Sequence, residues 1–406
     1  MNRSSLVLAL APLALLLASP AKKPVTIDTI SAGPGRFAGA AGPAYWAPDG
    51  LRYASFEAGK LVVIDAASGS RTPILELKDL ESRATEPVDT LPFEWENRRV
   101  QEQRLQWSAD GKAILLAVKG DLFWLDLASK KADQLLATRD RERDPKLSPD
   151  SKRVSFRRDN DLWILDIASK KQTRLTTDGS ATRWNARLDW VYPEELDLGT
   201  AHWWSPDSQN IAYLQFEVSK IPLYTHIDLL KVEGRSEPER YPKAGTANSD
   251  VRLGVVSAKG GKTRWLDIGL TPKHIVARIH WLPNSKEVAA ERFTRMQNQL
   301  DLVAVDIASG KSRTILQETD PYWINTTDDV RFLADGQNLI RTSEKSGFRH
   351  IYLQPIAGGE AKALTQGDWL VQQIDCVDEK ARQIYYTSTE GSPLERHFYA
   401  VSFEGG

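Results

Sequence analysis

Cysteine is almost missing from this chain of 406 residues: Cys376 stands alone, so no intrachain disulfide can form and no cysteine-based metal site exists. Net charge is almost missing too. The 53 Lys and Arg against 54 Asp and Glu leave −1, which argues against nucleic acid or an anionic membrane as the main partner. Catalytic motifs are equally scarce. G-x-S occurs at Gly234-Arg-Ser236 and Gly310-Lys-Ser312, yet neither continues into the second glycine of a nucleophile elbow, and both read as turns. The six histidines, 202, 226, 274, 280, 350 and 397, show no H-x-x-x-H or comparable ligand spacing and read as surface or packing residues. With no phosphate-binding glycine loop and no metal cluster, no cofactor is expected.

What the chain does have is turns and aromatics: 13 Trp, 21 Pro and 26 Gly, with 41% hydrophobic residues, enough to bury at least one large core. One phrase recurs, an apolar or aromatic residue followed by a turn of the Pro-Asp-Gly kind. It is found at Trp46-Ala-Pro-Asp-Gly50, Trp107-Ser-Ala-Asp-Gly111, Leu147-Ser-Pro-Asp-Ser151 and Trp204-Ser-Pro-Asp-Ser208. Trp281-Leu-Pro-Asn-Ser285 and Phe332-Leu-Ala-Asp-Gly336 follow, then the weaker Cys376-Val-Asp-Glu-Lys380. Pro and Asp preset such a turn and Gly or Ser relaxes it. Successive starts lie 61, 40, 57, 77, 51 and 44 residues apart. A minimum near 40 with longer insertions is the period of a four-stranded propeller blade.

Within a unit the pattern repeats. Val154-Ser-Phe-Arg157 reads as a strand, Arg158-Asp-Asn160 as a turn, and Leu162-Trp-Ile-Leu165 as the next strand. A second turn phrase follows at Asp65-Ala-Ala-Ser68, Asp126-Leu-Ala-Ser129, Asp166-Ile-Ala-Ser169 and Asp306-Ile-Ala-Ser309, and a short strand such as Thr173-Arg-Leu-Thr176 closes the unit. The predicted fold is all-β: a β-propeller of seven recognisable units over residues 22–406. The last unit reads as incomplete, because Phe403-Glu-Gly-Gly406 matches the turn Ala357-Gly-Gly359 that precedes the closing strand of the sixth unit.

Arg3, the apolar run Leu6 to Leu17, the small residues Ala18-Ser-Pro-Ala21 and the basic pair Lys22-Lys23 have the layout of a secretory signal over residues 1–21. The run is shorter than the roughly 20 residues that span a bilayer comfortably. An uncleaved N-terminal anchor is the alternative. Both readings place the mature domain outside the cytoplasm, in the periplasm or secreted.

Three insertions break the regular spacing. The first runs from about Leu77 to Arg104 and contains Phe93-Glu-Trp-Glu-Asn-Arg-Arg99; the third runs from Glu217 to Lys262. The second, between Asp178 and His202, holds Asp189-Trp-Val-Tyr-Pro-Glu-Glu-Leu-Asp197, with the adjacent carboxylates Glu194 and Glu195. An ammonium about 4 Å from a carboxylate gains roughly 4 kcal/mol at an effective dielectric near 20, before desolvation. Two carboxylates can share its three donors, which would select peptides with a free N-terminus over acylated ones. Adjacent residues diverge on a strand, so convergence needs a helical turn, and Pro193 suits its first position. Pro followed by Glu-Glu is also an ordinary helix start, with acids favoured by the dipole.

Asp189-Trp-Val-Tyr-Pro-Glu-Glu-Leu, Trp203-Trp-Ser-Pro-Asp, Ile211-Ala-Tyr-Leu-Gln-Phe216, Ile221-Pro-Leu223 and Tyr241-Pro-Lys-Ala-Gly245 together resemble the propeller domain of the dipeptidyl peptidase IV family, bacterial type. That resemblance implies an eight-bladed propeller covering an α/β-hydrolase domain, release of N-terminal dipeptides, often after proline, and an amine-binding role for Glu194 and Glu195. It also implies a Ser-Asp-His triad in a region after the propeller that this chain does not reach. No catalytic residue is therefore expected here, and the chain by itself is expected to be inactive. The family's propeller arginine has no clear match at Lys131-Ala-Asp-Gln-Leu-Leu136 and is not carried over. The rival expectation is a non-catalytic periplasmic propeller that binds peptides or a partner protein. The gene beyond codon 406 distinguishes the two by encoding a hydrolase domain or a stop.

Overall fold

Each repeated Asp-x-Ala-Ser phrase folds the same way. Asp65, Asp126, Asp166 and Asp306 each accept the amide and the hydroxyl of the serine three residues on, at 2.6–2.9 Å. This is the local side-chain turn that aspartate favours. The serine bonds hold all four carboxyls below the usual range. The Ser-x-Asp phrases are equally regular. Ser108, Ser148 and Ser205 donate to Asp110, Asp150 and Asp207, and each serine oxygen accepts the amide five residues on. Turns fixed in this way set the register of the hairpins between them.

The structure is a computed structural model that describes residues 26–28, 43–87, 103–229 and 232–406. The chain divides into two units, Met1–Ala44 and Tyr45–Gly406, and every described strand lies in the second. The signal-like residues 1–21 and the Phe93–Arg99 phrase lie outside the described residues. The second unit is a β-propeller with seven antiparallel blades among the described residues. Blades 1, 2, 3, 5 and 6 have four strands each in sequential order. They span Tyr45–Glu76, Leu105–Gln134, Arg143–Arg174, His274–Thr319 and Arg331–Ala363. Blade 7 has three strands, Val371–Asp378, Gln383–Ser388 and His397–Ser402.

Six apolar clusters join the blades in chain order. One example packs Leu115, Leu122 and Leu135 of blade 2 against Val154, Phe156 and Leu165 of blade 3. Leu80, on a short helix α1 (Leu77–Glu81) in the first insertion, adds to the cluster between blades 1 and 2. Because a blade is covered on both faces, its middle strands read as continuous apolar runs, such as Ala113–Val118, rather than as an alternation.

Polar bonds between the first strands of successive blades complete the frame. The indole N–H of Trp107 donates to the Tyr45 carbonyl at 2.8 Å, that of Trp204 to Lys146 at 3.2 Å, and that of Trp281 to Trp203 at 3.0 Å. Ser151, Ser208 and Ser285 occupy the turn position that is glycine in other blades, and all three have positive φ, 57°, 61° and 56°. Serine therefore does not merely relax the turn. Its hydroxyl accepts an amide of the preceding blade: Ala109, Asp150 and Asp207 respectively, at 2.8–3.0 Å.

Candidate functional site

Blade 4 departs from the others. Its first strand is split in two, Arg183–Asn185 and His202–Trp204, and both halves pair with the same second strand, Asn210–Glu217. Asn185 lies opposite Gln215 and His202 opposite Tyr213, so only Leu214 separates the two ladders. Ala186 donates its amide to the Leu214 carbonyl at 3.0 Å, and the Leu214 amide donates to the Ala201 carbonyl at 2.9 Å. Everything between Ala186 and Ala201 is looped out of the blade at this one residue. First strands touch their counterparts in neighbouring blades, so the loop leaves from the inner edge of the blade.

The loop carries helix α2 (Val191–Leu196). One residue of the sequence expectation is corrected here. Pro193 is the third helical residue rather than the first; its missing N–H costs nothing, because the first four amides of a helix have no intrahelical partner. The cap comes from Asp189, whose Oδ1 accepts the amides of Val191 at 3.0 Å and Tyr192 at 3.3 Å, while Oδ2 accepts the Ser249 hydroxyl at 2.6 Å. Asp189 is 7% exposed, and burial pushes its carboxyl up to about 6 despite those three donors. Tyr192 is buried edge-on against Phe216, ring centroids 4.8 Å apart, and burial raises its phenol. At the far end Asp197 adopts φ 50° and turns the chain out of the helix.

Between these anchors Glu194 is half-buried and Glu195 exposed, on consecutive positions of one helical turn. Neither lies inside the blade. The third insertion braces the loop: Trp190 meets Tyr241 edge-on at 4.4 Å, and Ser249 holds Asp189. That insertion is a hairpin, Leu223–Asp228 with Arg235–Arg240, and it ends sooner than expected, since Asp250–Ser257 is already the next strand of the blade. Ser236 sits in this hairpin and Ser312 opens the last strand of blade 5, so both are strand residues rather than turn residues.

Just after the helix the chain enters a buried polar cluster that no motif announced. The Thr200 hydroxyl donates to Asp144 at 2.5 Å, and the Lys146 ammonium donates to Thr200 and to the His202 carbonyl. His202 Nε2 lies 3.0 Å from the Ser155 hydroxyl, and its Nδ1 lies 3.4 Å from the Asp144 carboxylate. Ser155 and His202 are 0% exposed. His202 is thus a packing residue between blades 3 and 4, as expected from its spacing. Burial, with Lys146 and Arg157 nearby, drives its imidazole well below the ordinary range. No group of three or more His, Cys, Asp or Glu among the described residues could hold a metal ion.

Residues 78–406 match the family described as the dipeptidyl peptidase IV (DPP IV) N-terminal region. A probable dipeptidyl peptidase 4 of Aspergillus clavatus is 32% identical over 250 residues, and one of Aspergillus flavus is 34% identical over the same length. Each match covers 57% of this chain and only 32% of the relative, so the chain matches about a third of the length of those proteins. The crystal structure of Porphyromonas gingivalis dipeptidyl peptidase 4 superposes with a TM-score of 0.80 at 26% identity, covering 95% of this chain and 55% of that one. A putative dipeptidyl aminopeptidase IV from Bacteroides ovatus shares the fold, with a TM-score of 0.69 at 19% identity. The propeller fold and the sequence from residue 78 onward agree: the chain belongs to the dipeptidyl peptidase IV N-terminal region family.

Proposed function

We propose that this chain is the substrate-selecting propeller of a secreted serine exopeptidase that releases N-terminal dipeptides. Glu194 and Glu195 receive the free amine of the peptide. An α/β-hydrolase domain supplies the Ser-Asp-His triad, and residues 1–21 direct the protein out of the cytoplasm. The observation that carries the reading is α2 itself, two adjacent carboxylates held at the inner edge of blade 4 on a helix capped by a buried aspartate. A helix built only to pack would not need consecutive acids at its outward face. An ammonium held by two carboxylates gains charge-assisted hydrogen bonds that an acetylated amide cannot offer.

The test is kinetic. Residues 22–406 are produced joined to the α/β-hydrolase domain of a family enzyme, and kcat/KM is measured on Xaa-Pro substrates with free and with acetylated N-termini. Glu194→Gln or Glu195→Gln should lower kcat/KM at least tenfold on the free substrate, equivalent to about 1.4 kcal/mol, and much less on the acetylated one. Equal losses on both would reduce the pair to an ordinary helix start.

A further inference from the structure

Helix α2 is too short to hold its own direction. Six residues leave most of its carbonyls without intrahelical partners, and isolated helices of this length are not stable in water. Asp189 secures the first turn. The last turn is secured from another blade, by an arginine 82 residues away. Arg278 lies on the first strand of blade 5, His274–Trp281, and is 6% exposed. Its Nη1 donates to the Leu196 carbonyl at 2.7 Å and to the Ala277 carbonyl at 2.7 Å, and its Nε donates to Asp328 Oδ1 at 2.5 Å. Leu196 is the final residue of the helix and follows Glu195 directly.

We propose that Arg278 is the positioning residue of the glutamate pair. A cation at a helix C-terminus is favoured by the dipole and satisfies a carbonyl that would otherwise be buried unpaired. The planar guanidinium bonds several groups at once, so the helix end, the blade 5 backbone and Asp328 are fixed together. Asp328 belongs to the segment after blade 5, from which Ile324 packs into the same apolar cluster as Tyr192 and Leu196. Removing the guanidinium frees the end of α2 nearest the carboxylates while its capped start stays in place. The helix then pivots about Asp189, and the two acids lose their common target.

The inference rests on the amine-site reading, and its test keeps the two apart. Affinities of the purified chain for the tripeptide Ala-Pro-Ala, with free and with acetylated N-terminus, are measured by ligand-observed NMR. This is done for the wild type, Glu194→Gln, Arg278→Met, Arg278→Lys and Asp328→Asn, with hydrogen exchange of the 195–198 amides alongside. Arg278→Met is expected to cut the preference for the free peptide at least fivefold and to speed exchange at those amides. Arg278→Lys, which can still reach the Leu196 carbonyl, restores part of both. Should Arg278→Met not fold, Asp328→Asn carries the test at an exposed carboxylate, with an expected two- to threefold loss of preference. If the arginine and Asp328 variants keep the wild-type preference while Glu194→Gln loses it, the positioning role is overturned and the amine site stands. If the wild type binds both peptides equally, the amine site falls and this inference with it.

Discussion

His202 presents Nε2 to the Ser155 hydroxyl at 3.0 Å and Nδ1 to the Asp144 carboxylate at 3.4 Å, at a place no substrate can enter. The three side-chain types of a hydrolase triad meet there, yet the hydroxyl sits on a middle strand and the imidazole is sealed between two blades. A triad needs its nucleophile open to a carbonyl carbon. The contact instead ties blade 3 to blade 4 directly below the loop that carries α2, and its consequence is a dependence of stability on pH.

Unfolded, the His202 imidazole titrates near 6.5; folded, it titrates well below that. The unfolded chain therefore binds the extra proton first, and the folded state loses ground as pH falls below about 6.5. Lys146 and Arg157 strengthen this effect, while Asp144, whose carboxyl burial raises, works in the opposite sense. The difference between wild type and His202→Asn isolates the imidazole. Urea unfolding should show the wild-type margin over His202→Asn shrinking by about 1.4 kcal/mol for each pH unit below 6. A margin that does not change with pH would mean that the imidazole takes up its proton as readily in the fold as in the unfolded chain.

Asp189 has the opposite sign. Its folded value of about 6 lies above the ordinary carboxylate range, so the folded state gains a proton first as pH falls. Its contribution to stability is fully present only below the unfolded value of 3.8 and is lost as pH rises from there through 6. Asp189→Asn removes the buried charge but keeps an oxygen for the Val191 and Tyr192 amides. Thermal unfolding should find the variant more stable than wild type at pH 8, by at most about 3 kcal/mol, with the advantage gone below about pH 3. Destabilisation at pH 8 would show that the charge itself, interacting with the helix dipole, is what the cap requires.

Ser208 tests the joints between blades. It is 1% exposed, and its hydroxyl accepts the Asp150 amide of the preceding blade at 2.9 Å. Ser208→Ala leaves that amide without its partner, at an expected cost of about 1–3 kcal/mol in urea unfolding. Exchange at the Asp150 amide should quicken selectively. Ser208→Gly should cost less than Ser208→Ala, since glycine relieves the positive φ of 61° at this position. An alanine variant as stable as wild type would mean that the Ser208 bond adds nothing measurable to the joint between blades 3 and 4.

What the sequence disclosed and what it withheld divide along chain distance. The Trp-x-Pro-Asp and Asp-x-Ala-Ser phrases act over three to five residues, so their spacing revealed the blades, and Pro-Glu-Glu revealed a helix inside the second insertion. The contacts that aim that helix act over far longer spans. Ser249 to Asp189 and Arg278 to Leu196 join residues that share no periodicity, and each is an unremarkable residue in its own segment. Even the cap was hidden by position: Asp189 lies four residues before Pro193, too far upstream to be read as the start of a helix whose first residue seemed to be proline.

Because Ala186 and Ala201 both close on Leu214, the segment holding the glutamates is inserted at a single point of the ladder and contributes nothing to the register of the blade on either side. The entropy of bringing its ends together is met by ladders that would form without it, and closure cost grows only slowly with length. The segment behaves as a cassette. Residues can be added, removed or exchanged at the exposed positions between Ala186 and Ala201 while the strands keep their pairing, as long as Tyr192 and Leu196 keep their places in the core, so this segment can diverge without the scaffold having to change in step.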